Sequence, residues 1–336
     1  MTRADAPDSA TSLAARADLT LPMAIRVAAT LRLADHLAER PRTTASLASV
    51  ARCNASALVS LLGRLRDAGI VEARDAGWSL TEHGEALRSD HPSGLRDRLA
   101  IDGPLGRADL AAVELLDAVR RGEPAFDRRY GFSFWDDLAM DPDRQAAYDR
   151  MMAADVTRWA GLVVPAYPWP AKGHVVDIGG GDGALLEAIL AANPGLSGAI
   201  IDQPATAQAA NARFAAAGLD GRADAVAADF FAPLPVRGDI ALLCAVLHDW
   251  PDPAAQRILW NAAHALNLGG RVLVIEKTGA DGAAPSSVMD LTMLIYFGAR
   301  ERSVAEITAL AGWAGLRRSA VHRAADLSVI EFAVLP

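Results

Sequence analysis

The residues able to do chemistry lie in the second half of this 336-residue chain, each directly after an apolar run. His174-Val175-Val176 leads into Asp177-Ile178-Gly179-Gly180-Gly181-Asp182-Gly183 and then Ala184-Leu185-Leu186, a pattern that predicts a buried parallel strand, a tight turn and the opening of a helix. Glycines such as Gly179 and Gly181 let backbone approach a ligand where a Cβ would collide, and Asp177 sets a carboxylate beside the turn. Asp202 ends the next apolar run, nineteen residues past Gly183, a spacing that suits acceptance of hydrogen bonds from ribose hydroxyls. Asp229 follows a third run in Ala228-Asp229-Phe230-Phe231, where the acid can accept from an adenine amino group while Phe230 stacks on the ring. A dehydrogenase has less use for that second acid, and the turn departs from the G-x-G-x-x-G spacing of dinucleotide sites. Both points favour S-adenosylmethionine over NAD.

A fourth run ends in Cys244-Ala245-Val246-Leu247-His248-Asp249-Trp250. A histidine directly after an apolar strand, at the edge where a cofactor lies, is placed to act as a general base; a purely structural histidine is the competing reading. Glu276 ends the fifth run, and Glu301 lies in Gly298-Ala299-Arg300-Glu301-Arg302. Either carboxylate could hold the imidazole in one tautomer and stabilise its protonated form, although Glu301 could instead pair with Arg300 or Arg302.

These residues need elements to hold them. From His174 onward, apolar strand-like runs alternate with helical periodicity, which predicts an α/β, Rossmann-like, doubly wound sheet over 171–336. Ligands of such sheets bind outside the strands' carboxyl ends, where the polar residues above fall. Residues 92–170 read as helical, with Phe132, Phe134, Trp135, Tyr148, Met151, Met152 and Trp159 forming a layer able to line a pocket for a planar apolar substrate, and Tyr167-Pro168-Trp169-Pro170 marks a boundary.

In residues 1–91, a mobile leader is expected before a helical stretch over Leu21–Leu37, a short helix capped at Thr43-Thr44, a helix over Ala55–Asp67 and a hairpin formed by 69–73 and 77–81. Three helices and a hairpin make a winged helix-turn-helix. DNA binding is disfavoured, because Arg64, Arg66, Arg74 and Arg88 are interleaved with acids and the whole chain carries a net charge of −8. Leu21–Leu37 is apolar enough to bury itself against a second copy, which predicts a homodimer. A 51% hydrophobic, 22% charged composition is that of a folded globular protein. Cys53 and Cys244, each expected in a buried element, suggest neither a disulfide framework nor a metal cluster. No apolar run approaches a membrane span, and the polar opening residues do not read as a signal peptide, so the cytoplasm is the expected location.

Along nearly its whole length the chain resembles the homodimeric small-molecule O-methyltransferases of the caffeic-acid type and their bacterial natural-product relatives. The matching residues are Asp177–Gly183, Ala228–Phe231, Leu247-His248-Asp249-Trp250 and Gly298–Ser303. The resemblance implies that His248 is the base, that Glu276 and Glu301 flank it, and that Tyr148, Met152 and Met293 line the acceptor pocket. It also implies that the winged-helix domain exchanges helices in a dimer. Cys244 departs from the basic or hydroxyl residue common at its position, and Tyr296 and Phe297 replace polar ones, so acceptor recognition cannot be copied from relatives.

The expected reaction is transfer of the sulfonium methyl to a phenolic oxygen of an aromatic metabolite, leaving S-adenosylhomocysteine and needing no metal. Free phenol and imidazole differ by about 3.5 pKa units, so complete prior proton transfer would cost roughly 5 kcal/mol, and His248 is expected to take the proton as the bond forms. The alternatives are an N- or C-methyltransferase or a cofactor-repurposed hydroxylase of the same fold, and, from another class, a ligand-responsive DNA-binding regulator.

Overall fold

The computed structural model describes residues 9–279, 281–283 and 286–335. The leader expected over the opening residues lies outside them as far as residue 8. The chain divides into two compact units, Met1–Leu110 and Ala111–Pro336.

The first unit contains α1 (Ser9–Ala17), α2 (Thr20–Thr30), α3 (Leu33–Glu39), α4 (Thr44–Val50) and α5 (Ala55–Asp67), the hairpin strands β1 (Val71–Arg74) and β2 (Gly77–Leu80), then α6 (Leu95–Leu99) and α7 (Pro104–Asp109). The Thr43 hydroxyl caps α4 through the Ser46 N–H, and the Asn54 side chain caps α5 through the Ala57 N–H. β1 and β2 pair antiparallel from Val71 opposite Leu80 to Arg74 opposite Gly77. The winged-helix order is therefore present.

The stretch predicted as helical over Leu21–Leu37 is two helices, because Arg32 adopts a left-handed φ of 53°. The Thr30 hydroxyl donates to the Arg26 carbonyl at 2.7 Å and accepts the Ile101 N–H at 2.9 Å, fixing the chain at the break. Part of the apolar character that predicted burial against a partner is used inside this unit. Ala24, Ala28, Ala29, Leu33, Ala34 and Leu37 are buried within this unit's own core, against Leu47, Leu58, Leu62 and Leu65. Arg64, Arg66, Arg74 and Arg88 are each ion-paired, with Asp18, Asp67, Glu72, and Glu85 plus Asp90, respectively.

The second unit opens with α8 (Leu115–Arg121), α9 (Ala125–Tyr130), α10 (Phe134–Ala139) and the 25-residue α11 (Pro142–Ala166), which is capped by the Asp141 side chain on the Arg144 N–H. There follow β3 (Gly173–Ile178), α12 (Ala184–Ala192), β4 (Leu196–Asp202), α13 (Pro204–Ala216), β5 (Ala223–Ala227), β6 (Gly238–Cys244), α14 (Asp252–His264), β7 (Leu266–Lys277), α15 (Ser287–Phe297), α16 (Val304–Trp313), β8 (Leu316–Ala324) and β9 (Leu327–Val334). They build one seven-stranded sheet of order β5-β4-β3-β6-β7-β9-β8. The strands from β5 to β7 pair in parallel, and β9 runs antiparallel between β7 and β8.

Parallel strands covered on both faces need apolar side chains on both, and Val175, Val176, Ile178, Leu242, Leu243, Val274 and Ile275 supply them. One face packs on α14 and α16 residues such as Ile258, Leu259, Ile307 and Ala311. The other packs on Leu186, Ile189, Phe214 and Val163 from α12, α13 and α11. The strand order reverses between β3 and β6, opening a crevice at their carboxyl ends. Among the described residues no single helix is long and apolar enough to cross a membrane, and the bent pair α4–α5 that passes on length and composition places its leucines in a core.

Candidate active site

The turn after β3 is shaped by glycine. Gly183 has φ 89°, and a Cβ there would lie 2.8 Å from the Phe214 ring. Gly179 has φ 71° and approaches Val246, whose Cγ2 would be 3.0 Å from a Cβ. Asp202, at the end of β4, ties the turn to its neighbouring strand by accepting the Gly181 N–H at 2.9 Å and the Gln203 N–H at 2.7 Å.

A cavity of about 580 Å³ runs along this edge. Its wall includes the expected residues Asp177, Gly179, Gly181, Asp202, Asp229, Phe230, His248, Tyr148 and Met152. The 229–231 loop is pinned from α14, where Asn261 donates to the Phe230 carbonyl at 2.8 Å and Arg257 to the Phe231 carbonyl at 2.7 Å. Along α11, Tyr148, Met152, Val156 and Trp159 face the cavity at helical spacing. Trp135 lies nearly parallel to Phe297 at 5.5 Å and to Trp250 at 6.1 Å, so the aromatic layer joins α10, α15 and the loop after β6.

Glu276 and Glu301 are not on the wall but behind His248. The Glu276 Oε2 lies 2.6 Å from His248 Nδ1, and its Oε1 accepts the Leu247 N–H at 2.9 Å. His248 thereby turns the Nε2 side of its ring away from Glu276, 3.3 Å from an Asp249 oxygen, and the side chain remains 21% exposed. Glu301 pairs with neither flanking arginine: Arg300 engages Glu306 and Asp252, and Arg302 engages Asp252. Its Oε2 is buried without a hydrogen-bond partner, and its carboxylate acts on His248 through charge.

Met293, expected on the acceptor wall, is buried on α15 at 6% exposure and lies outside this cavity's lining. The helix turns it inward, while Tyr296 and Phe297 stack on Phe134 and Trp135, respectively. Cys244 is buried on the cavity wall, whereas Cys53, expected buried, is only partly so.

Sequence reasoning missed Asp149 as a wall residue. Its carboxylate accepts from Gln145 Nε2 at 2.8 Å and from the Thr206 hydroxyl at 3.5 Å. Its place four residues after Gln145 and beside Tyr148 on one helix was the available signal. Asp249, adjacent to His248, was also passed over.

Electrostatics follow from burial. Asp177 is 1% exposed and neither of its oxygens has a partner; burial and then the charge of Asp202 push it up to about 7. Asp202 is raised to about 6 by burial, against the two backbone N–H groups that lower it. For His248, burial acts downward, but the carboxylates of Glu276, Asp249 and Glu301 outweigh it and hold the imidazole at about 10. Burial raises Asp249 and Glu301 above the usual carboxylate range. The wall carries seven aspartates and, among the described residues, no lysine or arginine, which fits a cationic ligand. No group of three or more His, Cys, Asp or Glu able to hold a metal occurs among the described residues.

A parallel sheet extended by an antiparallel β9, with a glycine turn after β3, an acid ending β4 and a cavity along the carboxyl edge, defines a class I methyltransferase. Comparison with known proteins narrows the class. Residues 113–317 match the model of the O-methyltransferase domain, and the chain belongs to that family.

It is 46% identical to the 2,7-dihydroxy-5-methyl-1-naphthoate 7-O-methyltransferase of Streptomyces carzinostaticus, over 96% of this chain and 97% of that protein. It is 39% identical to aclacinomycin 10-hydroxylase RdmB of Streptomyces purpurascens, over 94% and 88%. Among solved structures it is similar to the O-methyltransferase NcsB1 of neocarzinostatin biosynthesis in complex with S-adenosylmethionine and 2-hydroxy-5-methyl naphthoic acid. That likeness has a TM-score of 0.90 at 46% identity and covers 96% of this chain and 98% of that one.

Proposed function

We propose that this chain transfers a methyl group from S-adenosylmethionine to a phenolic oxygen of an aromatic metabolite, with His248 as the general base. The observation that carries the reading is that His248, on the wall of the cavity that also holds Asp177 and Asp202, has its Nδ1 against the buried Glu276 behind it. Family membership and the ligands of the related structure support it.

The residues present fit the donor. Two carboxylate oxygens of Asp177 lack partners at the cavity wall, Gly179 leaves room for backbone approach, and Asp202 and Asp229 are set for hydroxyl and amino groups. When bound, S-adenosylmethionine supplies a methyl group already activated by the sulfonium charge. The protein's work is then to place an acceptor oxygen in line and to manage its proton.

Glu276 orients the imidazole through Nδ1 and leaves Nε2 for the acceptor. A phenol titrates near 10, and His248 is held at about 10, so sharing a proton between them is nearly balanced. The roughly 5 kcal/mol penalty expected for free imidazole is thereby moved from the proton transfer itself to the prior loss of one proton from the pair, about 3 pKa units or roughly 4 kcal/mol at pH 7. Because the resting imidazole is protonated at neutral pH, one proton must leave the acceptor–His248 pair before transfer, and turnover should rise with pH. Tyr148, Met152 and Trp135 form the acceptor wall in this reading, and a hydroxynaphthoic acid of the kind bound by NcsB1 is the first acceptor to test.

Residues 1–91 act as the dimerisation domain, 92–170 as the acceptor-pocket region and 171–336 as the cofactor domain. The protein works as a homodimer in the cytoplasm. Light scattering against the 35.3 kDa subunit mass tests the dimer.

The deciding experiment measures S-adenosylmethionine and S-adenosylhomocysteine binding by calorimetry, then follows methyl ether formation over a panel of hydroxynaphthoic acids and simpler phenols by mass spectrometry. Binding with ether products is expected. His248→Ala should keep the binding and lose most turnover; an unchanged rate would overturn the base assignment. Hydroxylated products in place of ethers would favour the activity of the 39%-identical relative.

A further inference from the structure

His248 sits on a three-residue turn, Leu247–Asp249, that holds itself together poorly. Its own backbone bonds, Asp249 N–H to the Val246 carbonyl and Trp250 N–H to the Leu247 carbonyl, are both 3.3 Å long. Just before it, Ala245 is a non-glycine residue with φ 56°. A base whose ring must meet an acceptor oxygen in one geometry needs a firmer mount.

The mount comes from outside the turn. Glu276 takes the Leu247 N–H and the imidazole on one side. On the other, Arg302, only 2% exposed, donates to the Leu247 carbonyl at 2.5 Å and the Trp250 carbonyl at 2.7 Å. Its remaining donors meet Asp252 Oδ1 at 2.8 and 3.1 Å, at the first turn of α14. Arg302 is itself fixed by the capping box that opens α16: Ser303 N–H to Glu306 at 2.8 Å, with Glu306 N–H returned to the Ser303 hydroxyl at 3.2 Å.

We propose that Arg302 is a positioning residue for the base, bracketing His248 through the carbonyls on either side of it and so setting where the imidazole meets the acceptor. The inference rests on the methyl-transfer reading above. A planar guanidinium reaches two carbonyls and a carboxylate at once; a lysine ammonium keeps the charge and loses the fork. The charged neighbours of His248 are Glu276 from β7, Asp249 from the turn itself and Glu301 from the loop before α16, while Tyr148 of α11 faces Asp249. Loosening the turn weakens the Nδ1–Glu276 contact first. The imidazolium then becomes easier to deprotonate, and the acid limb of the kcat profile moves to lower pH.

The test compares wild type, Arg302→Lys and Asp252→Asn in three measurements. These are S-adenosylhomocysteine affinity by calorimetry, turnover of 1,4-dihydroxy-2-naphthoic acid across pH, and the His248 titration by NMR in the S-adenosylhomocysteine complex. Arg302→Lys should hold cofactor affinity and acceptor KM within about threefold and lose about 30- to 300-fold in kcat, the scale of a misplaced catalytic group. Its His248 titration should move to lower pH. Asp252→Asn, which removes one anchor of the guanidinium, should move both readouts the same way by less.

Unchanged kcat and titration in Arg302→Lys would overturn the proposal, as would a kcat loss that only tracks lost cofactor affinity. Should Arg302→Lys not fold, an unchanged titration in Asp252→Asn overturns it alone. If wild type turns over no phenol, the acceptor reading fails separately, and the His248 titration still decides whether Arg302 positions the ring.

Discussion

Replacing Glu276 with glutamine removes a charge and almost no volume, and both of its oxygens are in use. Oε1 accepts the Leu247 N–H and Oε2 faces His248 Nδ1, so the site asks for two acceptors. A carboxylate supplies both; an amide supplies one. If the amide oxygen faces Leu247, its NH₂ faces Nδ1 and forces the tautomer with the proton on Nε2, where the base must accept. If it faces Nδ1, two N–H groups oppose each other at Leu247.

The charge effect can be sized from the 2.6 Å contact. At an effective dielectric near 20, unit charges about 4 Å apart interact by about 4 kcal/mol, equal to about 3 pKa units. His248 should therefore fall from about 10 to near its ordinary value. Turnover should drop on the order of 10²- to 10⁴-fold with cofactor affinity nearly kept, the range for losing an oriented base. NMR titration of the imidazole and a kcat–pH profile read both effects. A Glu276→Gln enzyme within threefold of wild-type kcat, with its acid limb unmoved, would refute the reasoning.

Three further outcomes are expected. Asp177 is raised from 3.8 to about 7, so its contribution to folding is fully present below about pH 4 and is lost as pH rises through 7. The ligand-free protein should melt lower at pH 8 than at pH 6, and Asp177→Asn should flatten that slope in a calorimetric scan while weakening S-adenosylmethionine binding. Gly183→Ala must accommodate a Cβ 2.8 Å from the Phe214 ring at φ 89°; a loss of about 2–4 kcal/mol in denaturant unfolding is expected. Asp202→Ala frees the Gly181 and Gln203 N–H groups together, and cofactor affinity should fall about 10- to 100-fold by calorimetry with His248 titrating as before.

The sheet was legible because buried parallel strands are apolar on both faces and because a doubly wound topology gathers their carboxyl ends. Asp177, Asp202, Asp229, His248 and Glu276 could be placed at one edge from order alone. What the sequence hid is set by packing. Whether Glu276 or Glu301 holds Nδ1 depends on an approach that spacing does not encode, and the structure gives the contact to Glu276. The inward turn of Met293 on α15 and the exposure of Asp149 to the cavity depend on which face each helix presents. The break at Arg32 has no glycine or proline to announce it; the hydroxyl of Thr30 and a distant N–H hold it.

The place of β9 bears on how the molecule comes to exist. β7, which carries Glu276 at its end, has β6 on one side and β9 on the other, paired from Arg271 opposite Ala333 to Lys277 opposite Leu327. On a ribosome, β7 emerges some fifty residues ahead of that second partner, and until residues 327–334 clear the exit tunnel one edge of the growing sheet stays open to any passing strand. The same stretch that closes the edge flanks the strand that carries Glu276 behind His248, so one pairing serves both the sheet and the mount of the imidazole.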